Sequence, residues 1–100
     1  MVDDLVRDIQ SRADQLRGLN ARVRFVLGNS GDVILLDART PAVSVARTDG
    51  EADCTLRITA ENLGKLIAGR LNPMLAYTMG KLKVEGSTGV AMKLASMLDS

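Results

Sequence analysis

The chain has 100 residues, a formal net charge of +1, and an apolar content of 46% with only two aromatic side chains, Phe25 and Tyr77. That length fits one domain, which we expect over residues 1–100. The near-neutral charge and the scarcity of aromatic rings argue against a nucleic-acid partner, which needs a basic surface and stacking platforms.

The remaining composition narrows the function classes further. A single cysteine rules out an internal disulfide framework and is typical of a reducing compartment. The amino terminus shows no basic and apolar leader, and the longest aliphatic run, residues 33–36, is far below the roughly 20 residues of a membrane span. We therefore expect a cytoplasmic protein.

The first half of the chain predicts one helix followed by four strands. Apolar residues recur at helical spacing over residues 3–17, and Gly18 suits the helix end. Period-two segments over 22–27, 32–38, 42–47 and 54–59 are separated by turns rich in Gly, Asn, Asp and Pro. The short turns predict an antiparallel meander.

The second half predicts two helices, a fifth strand and a last helix. Thr59 and Asn72 are natural N-caps, and Pro73 suits a first helical position. Residues 81–85 alternate strictly, and Ser87 suits the N-cap of the final helix. The segregated order of helices and strands predicts an α+β fold, in which the two helices between strands four and five could form a right-handed crossover.

One segment resembles a known family. Residues 69–86, GRLNPMLAYTMGKLKVEG, resemble the signature of the sterol carrier protein 2 (sterol-binding domain) family: a Leu-Asn-Pro helix start, an Ala-aromatic pair and a Gly-Lys-Leu-Lys run ending in Gly. The Ala-Met-Lys-Leu run of residues 91–94 extends the match. The resemblance implies a stand-alone domain with a twisted, mostly antiparallel five-stranded sheet, covered on one face by helices, and an apolar tunnel between them.

The same resemblance implies a non-catalytic lipid carrier. Family members bind fatty acid, fatty acyl-CoA, phospholipid or sterol-like ligands, transfer them between membranes and present them to enzymes. The absence of histidine, of a nucleophile motif and of a metal-ligand cluster agrees with a protein that has no catalytic residue, metal or cofactor.

Inward-facing apolar side chains of the strands and helices are the predicted ligand-binding residues, and periodicity alone leaves open whether they enclose a tunnel or fill the space. They are Phe25, Leu35, Leu56, Ile58, Leu66, Ile67, Met74, Tyr77, Met79, Leu82, Val84, Val90, Leu94 and Met97.

Two further alternatives stay open at this level. Arg22, Arg24, Arg57, Lys81 and Lys83 occupy outward strand positions, where they form either a solvated face or a basic stripe for transient membrane contact. The alternative function is an accessory, adaptor or dimerisation module of a lipid or isoprenoid-quinone pathway enzyme, which would act as a homodimer or with that partner enzyme. Cys54 is expected to be a buried structural thiol.

Overall fold

A computed structural model describes residues 2–28 and 30–98 and confirms the α+β prediction. Helices cover one face of a five-stranded sheet. The elements in chain order are α1 (Val2–Ser11), a 3₁₀ helix (Ala13–Leu16), β1 (Arg22–Leu27), β2 (Val33–Asp37), β3 (Ser44–Ala46), β4 (Cys54–Ile58), α2 (Ala60–Ile67), α3 (Pro73–Thr78), β5 (Leu82–Gly86) and α4 (Thr88–Leu98).

The strand order is β3-β2-β1-β4-β5, so the predicted meander is wrong at the fourth strand. β4 pairs with β1 in parallel, whereas the other three neighbouring pairs are antiparallel. The helices α2 and α3 connect the adjacent antiparallel strands β4 and β5, so they form no parallel crossover. The segment of residues 47–53 makes that crossover instead.

The length of the 47–53 segment and the burial of the strands account for this strand order. Seven residues can extend over about 23 Å, which exceeds the roughly 14 Å of three strand spacings between β3 and β4. β1 buries Val23, Phe25 and Leu27 to 2% exposure or less, as a central strand requires. β3 has only three residues, with Ser44 and Ala46 exposed, and a short polar strand suits a sheet edge.

The first predicted helix is shorter than the sequence pattern suggested. α1 ends at Ser11, and Arg12 adopts φ −103° and ψ 10°, outside the α-helical range. One 3₁₀ turn follows, which is a common ending for an α-helix. Leu5 and Ile9 of α1 and Leu16 of the turn are all buried, so the apolar stripe still reaches the core.

The three predicted N-caps are confirmed, and they set where the helices of the second half begin. Thr59 Oγ1 accepts a hydrogen bond from Asn62 N at 3.2 Å. Asn72 Oδ1 accepts from the backbone N–H groups of residues 74 and 75 at 2.9 and 3.1 Å. Ser87 Oγ accepts from the Val90 N–H at 3.2 Å. Each cap satisfies amides that the first helical turn leaves unpaired.

Acidic partners neutralise much of the predicted basic stripe on the open face of the sheet. Arg24 Nε lies 2.7 Å from Asp49 Oδ1 in the 47–53 segment. Arg57 Nε lies 2.5 Å from Glu85 Oε2, and this hydrogen bond lowers the pKa of the Glu85 carboxyl. Paired charges of this kind favour the solvated-face interpretation over a headgroup-binding stripe for Arg24 and Arg57. Lys81 lies just before β5 and has no such partner in the described part of the chain.

Gly86, the last residue of β5, lies closer to neighbouring backbone than any other glycine of the chain, against the residue that precedes β4. Its φ is +83°, and a Cβ built on it would lie 2.7 Å from the Asp53 carbonyl oxygen. Gly18 also has a positive φ, +88°, but a Cβ there would meet nothing within 4 Å. Comparing an alanine substitution at each glycine therefore distinguishes the cost of the positive φ from the cost of a steric clash.

We expect Gly86→Ala to lower the free energy of unfolding by at least about 2 kcal/mol more than Gly18→Ala. Both changes carry the positive-φ penalty of roughly 1–2 kcal/mol, but only the first drives a methyl group into backbone. Urea unfolding followed by circular dichroism measures the difference. Equal losses in the two variants would contradict this account of Gly86.

Cys54 lies at the start of β4 beneath this turn and is 1% exposed. Burial, with a smaller contribution from the charge of Asp53, raises the pKa of its thiol. Folding therefore holds the neutral thiol. That contribution to stability is complete below the unfolded pKa of about 8.5 and is lost as the pH rises through the higher folded value.

At pH 8 we expect Cys54 to react with a thiol reagent at least about tenfold more slowly in the native protein than in the urea-unfolded chain, because both burial and the raised pKa suppress the thiolate. Absorbance of the released chromophore gives both rates. A native rate equal to the unfolded rate would show that the thiol is accessible and unperturbed.

Candidate functional site

The floor of an apolar pocket is formed by side chains that share one face of β1, β4 and β5. Phe25, Leu56 and Val84 are register partners across the three strands and form one row. Ile58 and Leu82 are register partners in the next row. All five line the pocket. The strand register alone therefore brings together residues that are up to 59 positions apart in the chain.

Three helices form the walls. α2 contributes Leu63 and Leu66, and the capped start of α3 contributes Pro73, Met74 and Tyr77. α4 contributes the largest share from one side of the helix: Thr88, Ala91, Met92, Leu94, Ala95 and Leu98. Within the described residues no carboxylate or cationic side chain lines this pocket, and its polar side-chain atoms are the hydroxyls of Tyr77 and Thr88.

The pocket holds about 160 Å³ and opens to the surface. Met74, Tyr77 and Met92 line it and are also 57%, 55% and 61% exposed. Side chains with both properties must lie at the opening. The mouth is therefore surrounded by flexible thioether side chains and one amphipathic ring, whereas the floor is built from buried strand residues.

The pocket brings together nine of the fourteen residues predicted to bind a ligand; that they do so stays a prediction. The nine are Phe25, Leu56, Ile58, Leu66, Met74, Tyr77, Leu82, Val84 and Leu94.

The other five predicted residues do not line it. Leu35 is the clearest correction, because it is the register partner of Arg24 and so lies on the open face of the sheet. A Cβ on Gly50 of the crossing segment would lie 3.1 Å from Leu35 Cδ2, so that segment covers this side chain. Ile67, Val90 and Met97 pack in or against the core, and Met79 is 56% exposed beyond the end of α3.

Seven residues that line the pocket were not predicted, and three of them are small or polar. Thr88, Ala91 and Ala95 form the pocket side of α4, and Pro73 begins α3. Leu63, Met92 and Leu98 also line the pocket. The helical spacing of 88, 91, 92, 95 and 98 could have indicated this face. The prediction named Val90, Leu94 and Met97 on this helix, of which Leu94 lines the pocket.

Two other kinds of site are absent from the residues that the structure describes. No helix among residues 2–28 and 30–98 is long and apolar enough to cross a bilayer. In the same residues no group of three or more His, Cys, Asp or Glu side chains is placed to hold a metal ion.

Comparison with known proteins agrees with this architecture. The model of the SCP-2 sterol transfer family matches residues 2–99. Sterol carrier protein 2 from Gallus gallus is 39% identical over 64 residues, which cover 63% of this chain but only 12% of that protein.

Two solved structures show the same fold. Sterol carrier protein 2 from Yarrowia lipolytica, in its apo form, has a TM-score of 0.73 at 24% identity, covering 97% of this chain and 86% of that one. Palmitated SCP2L2 from Aedes aegypti has a TM-score of 0.65 at 20% identity, covering 80% and 73%. Since the family model spans nearly the whole sequence, the chain belongs to the SCP-2 sterol transfer family, whose domains bind or transfer lipid.

Proposed function

We propose that this protein holds the tail of a single-chain lipid, a fatty acid or fatty acyl derivative, in the pocket beneath α3 and α4, and carries or presents it without catalysis. The observation that carries the proposal is an apolar pocket whose mouth is lined by exposed Met74, Tyr77 and Met92. With no charge along the described wall, a charged head group is best solvated at the mouth while the tail lies inside.

The pocket volume supports a flexible tail together with movable walls. An apolar cavity of about 150 Å³ accepts one benzene, and ligand pockets usually measure about 300–1,000 Å³. At 160 Å³ this pocket fits only part of a tail without movement. A dozen buried methylenes would return roughly 10 kcal/mol before ordering costs, enough to drive rearrangement of a soft wall.

The wall best suited to move is α3. It has six residues, and Pro73 and Ala76 are its buried positions. α2 and α4 are longer, at 8 and 11 residues, and bury Leu63, Leu66, Ile67, Leu94 and Leu98. Displacing α3 would expose less apolar surface than displacing either neighbour, so expansion at the mouth is the least costly route to a larger pocket.

A flexible acyl chain fits this wall better than a rigid sterol does. Chain methylenes can follow an irregular aliphatic surface, whereas a fused ring system needs a preformed flat space. The related Aedes aegypti structure is described as palmitated, which supports a fatty acyl ligand here. The family name refers to sterol, so cholesterol is the proper competitor in a test.

Two features support a role without catalysis. The sequence contains no histidine, and the described pocket wall offers two hydroxyls but no general base. An adaptor role for a partner enzyme, and residence in the cytoplasm, stay predictions.

Mass spectrometry of denatured purified protein, combined with displacement of a fluorescent fatty acid by palmitate, palmitoyl-CoA and cholesterol, tests the proposal. We expect extracted acyl lipid, or displacement by palmitate at least about tenfold better than by cholesterol. If no lipid is extracted and none of the three ligands binds, the proposal is overturned and the adaptor role is favoured.

We expect Ala95→Leu to weaken palmitate binding at least about tenfold, because Ala95 lines the pocket and the larger side chain would occupy the space of the tail. The free energy of unfolding should stay unchanged or rise by about 1 kcal/mol, since the new side chain fills apolar space.

Ala68→Leu is the matched control. Ala68 is exposed at the C-cap of α2, so this substitution makes the same chemical change outside the pocket. Its palmitate affinity should equal that of the unmodified protein. Retained affinity in Ala95→Leu, or an equal loss in both variants, would argue against the assigned site.

A further inference from the structure

Five large apolar side chains in the described residues are conspicuously exposed, and they lie on α3, its C-cap and α4, the helices whose exposed residues form the pocket mouth. Each is 54–61% exposed. We call the group the mouth patch; its members are Met74, Leu75, Tyr77, Met79 and Met92. Four belong to α3 or its C-cap, and three line the pocket. Contiguous exposed apolar surface in a soluble domain usually marks an interaction site.

The chain segment that contains α3 carries charges of one sign. Between Glu61 and Glu85 the sequence has four cationic residues and no acidic one, although the whole chain is only +1. Arg70 lies just before the Asn72 cap of α3, and Lys81 follows Gly80 just after it, so a cation stands near each end of the helix. Most described cations elsewhere have an acidic partner, but neither Arg70 nor Lys81 has a carboxylate within 4 Å in the described part of the chain.

We propose that the mouth patch docks on the surface of a bilayer that contains anionic lipid, with α3 lying at the headgroup level. Met and Tyr side chains suit the boundary between headgroups and acyl chains, and nearby cations gain from a negative surface potential. The charge pattern favours this occupant over a second copy of the chain, since two such patches would repel each other.

The opposite choice, docking through α1, is disfavoured by charge. α1 carries Asp3, Asp4 and Asp8, and its one cation, Arg7, is paired with Asp4. Of its apolar residues, Leu5 and Ile9 are buried in the core, and Val2 and Val6 are partly buried against it. An anionic bilayer would therefore repel α1 and attract the patch.

Docking in this orientation has a consequence that rests on the proposed function. The pocket mouth would face the bilayer, so a lipid tail could pass between membrane and pocket without crossing water. Contact of α3 with the acyl region of the bilayer would also favour displacement of α3, and that displacement would enlarge the pocket.

Co-sedimentation with vesicles tests the docking surface separately from the pocket. We expect the protein to bind vesicles of phosphatidylcholine mixed with phosphatidylserine at least about tenfold better than vesicles of phosphatidylcholine alone, and to dissociate at high salt. Equal binding to both vesicles, or no binding to either, would overturn the proposal.

Two double variants locate the contact, and a third is the control. Leu75→Ser with Met79→Ser, and Arg70→Glu with Lys81→Glu, should each weaken vesicle binding about tenfold or more. Arg7→Glu with Arg17→Glu makes the same change in net charge on exposed side chains that belong neither to α3 nor to the mouth patch and should have little effect. Circular dichroism checks that each variant is folded.

Loss of vesicle binding in the control pair alone would assign docking to the other end of the molecule and overturn the proposal. Equal loss in all charge variants would do the same, because it would indicate a net-charge effect. Concentration-dependent association of the unmodified protein that Leu75→Ser with Met79→Ser abolishes, with vesicle binding unchanged, would make a second copy the occupant.

The failure of docking and the failure of the proposed function give different results. Ala95→Leu should bind vesicles normally while losing palmitate, and Leu75→Ser with Met79→Ser should do the reverse, since neither Leu75 nor Met79 lines the pocket. If the unmodified protein binds vesicles but none of the lipid ligands, that result contradicts the proposed function and leaves the docking proposal intact.

Discussion

The parallel pairing of β1 with β4 is the constraint on which the site depends. It places Phe25 beside Leu56, and the antiparallel β5 then adds Val84 to the same row. A parallel neighbour requires a crossover, which the 47–53 segment provides on the open face of the sheet. Because that face is crossed by the segment and held by Arg24 and Asp49, the helices are confined to the other face, where the pocket lies.

The pocket combines a fixed floor with a soft entrance. The floor belongs to strands held by ladder hydrogen bonds and by buried neighbours, so its shape changes little. The entrance depends on a six-residue helix and on methionines, which have many rotamers and adapt to irregular partners. A carrier must accept and release its ligand without unfolding, and a division between rigid and yielding walls meets that need with a domain of 100 residues.

Local features of this fold could be predicted from the sequence, because they depend on neighbouring residues. The caps at Thr59, Asn72 and Ser87 follow from side-chain chemistry at the first helical turn, and the structure confirms all three. The position of β4 beside β1 depends on contacts between distant residues and on the course of the 47–53 segment, which no local pattern encodes.

The misplacement of Leu35 has the same origin. The run of residues 33–36 is continuously aliphatic, so period-two alternation cannot say which side faces the helices. The structure buries Ile34 and Leu36 completely and leaves Leu35 for the other face, where the crossing segment covers it. The unpredicted pocket residues of α4 have a different origin. Space in a pocket is made by small residues such as Ala91 and Ala95, and reasoning from apolar bulk overlooks them.

The distribution of charge separates stability from ligand binding. Arginine partners lower the pKa values of the Asp37, Asp49 and Glu85 carboxyls, all of which lie on or over the open face. A lowered pKa contributes stability at neutral pH that is lost as the pH falls through the folded value, so acid weakens that face of the sheet. The described pocket wall has no carboxylate or cation to titrate with it. Any pH dependence of lipid binding between mildly acidic and neutral pH must therefore come from the ligand's own head group or from groups outside the described pocket wall.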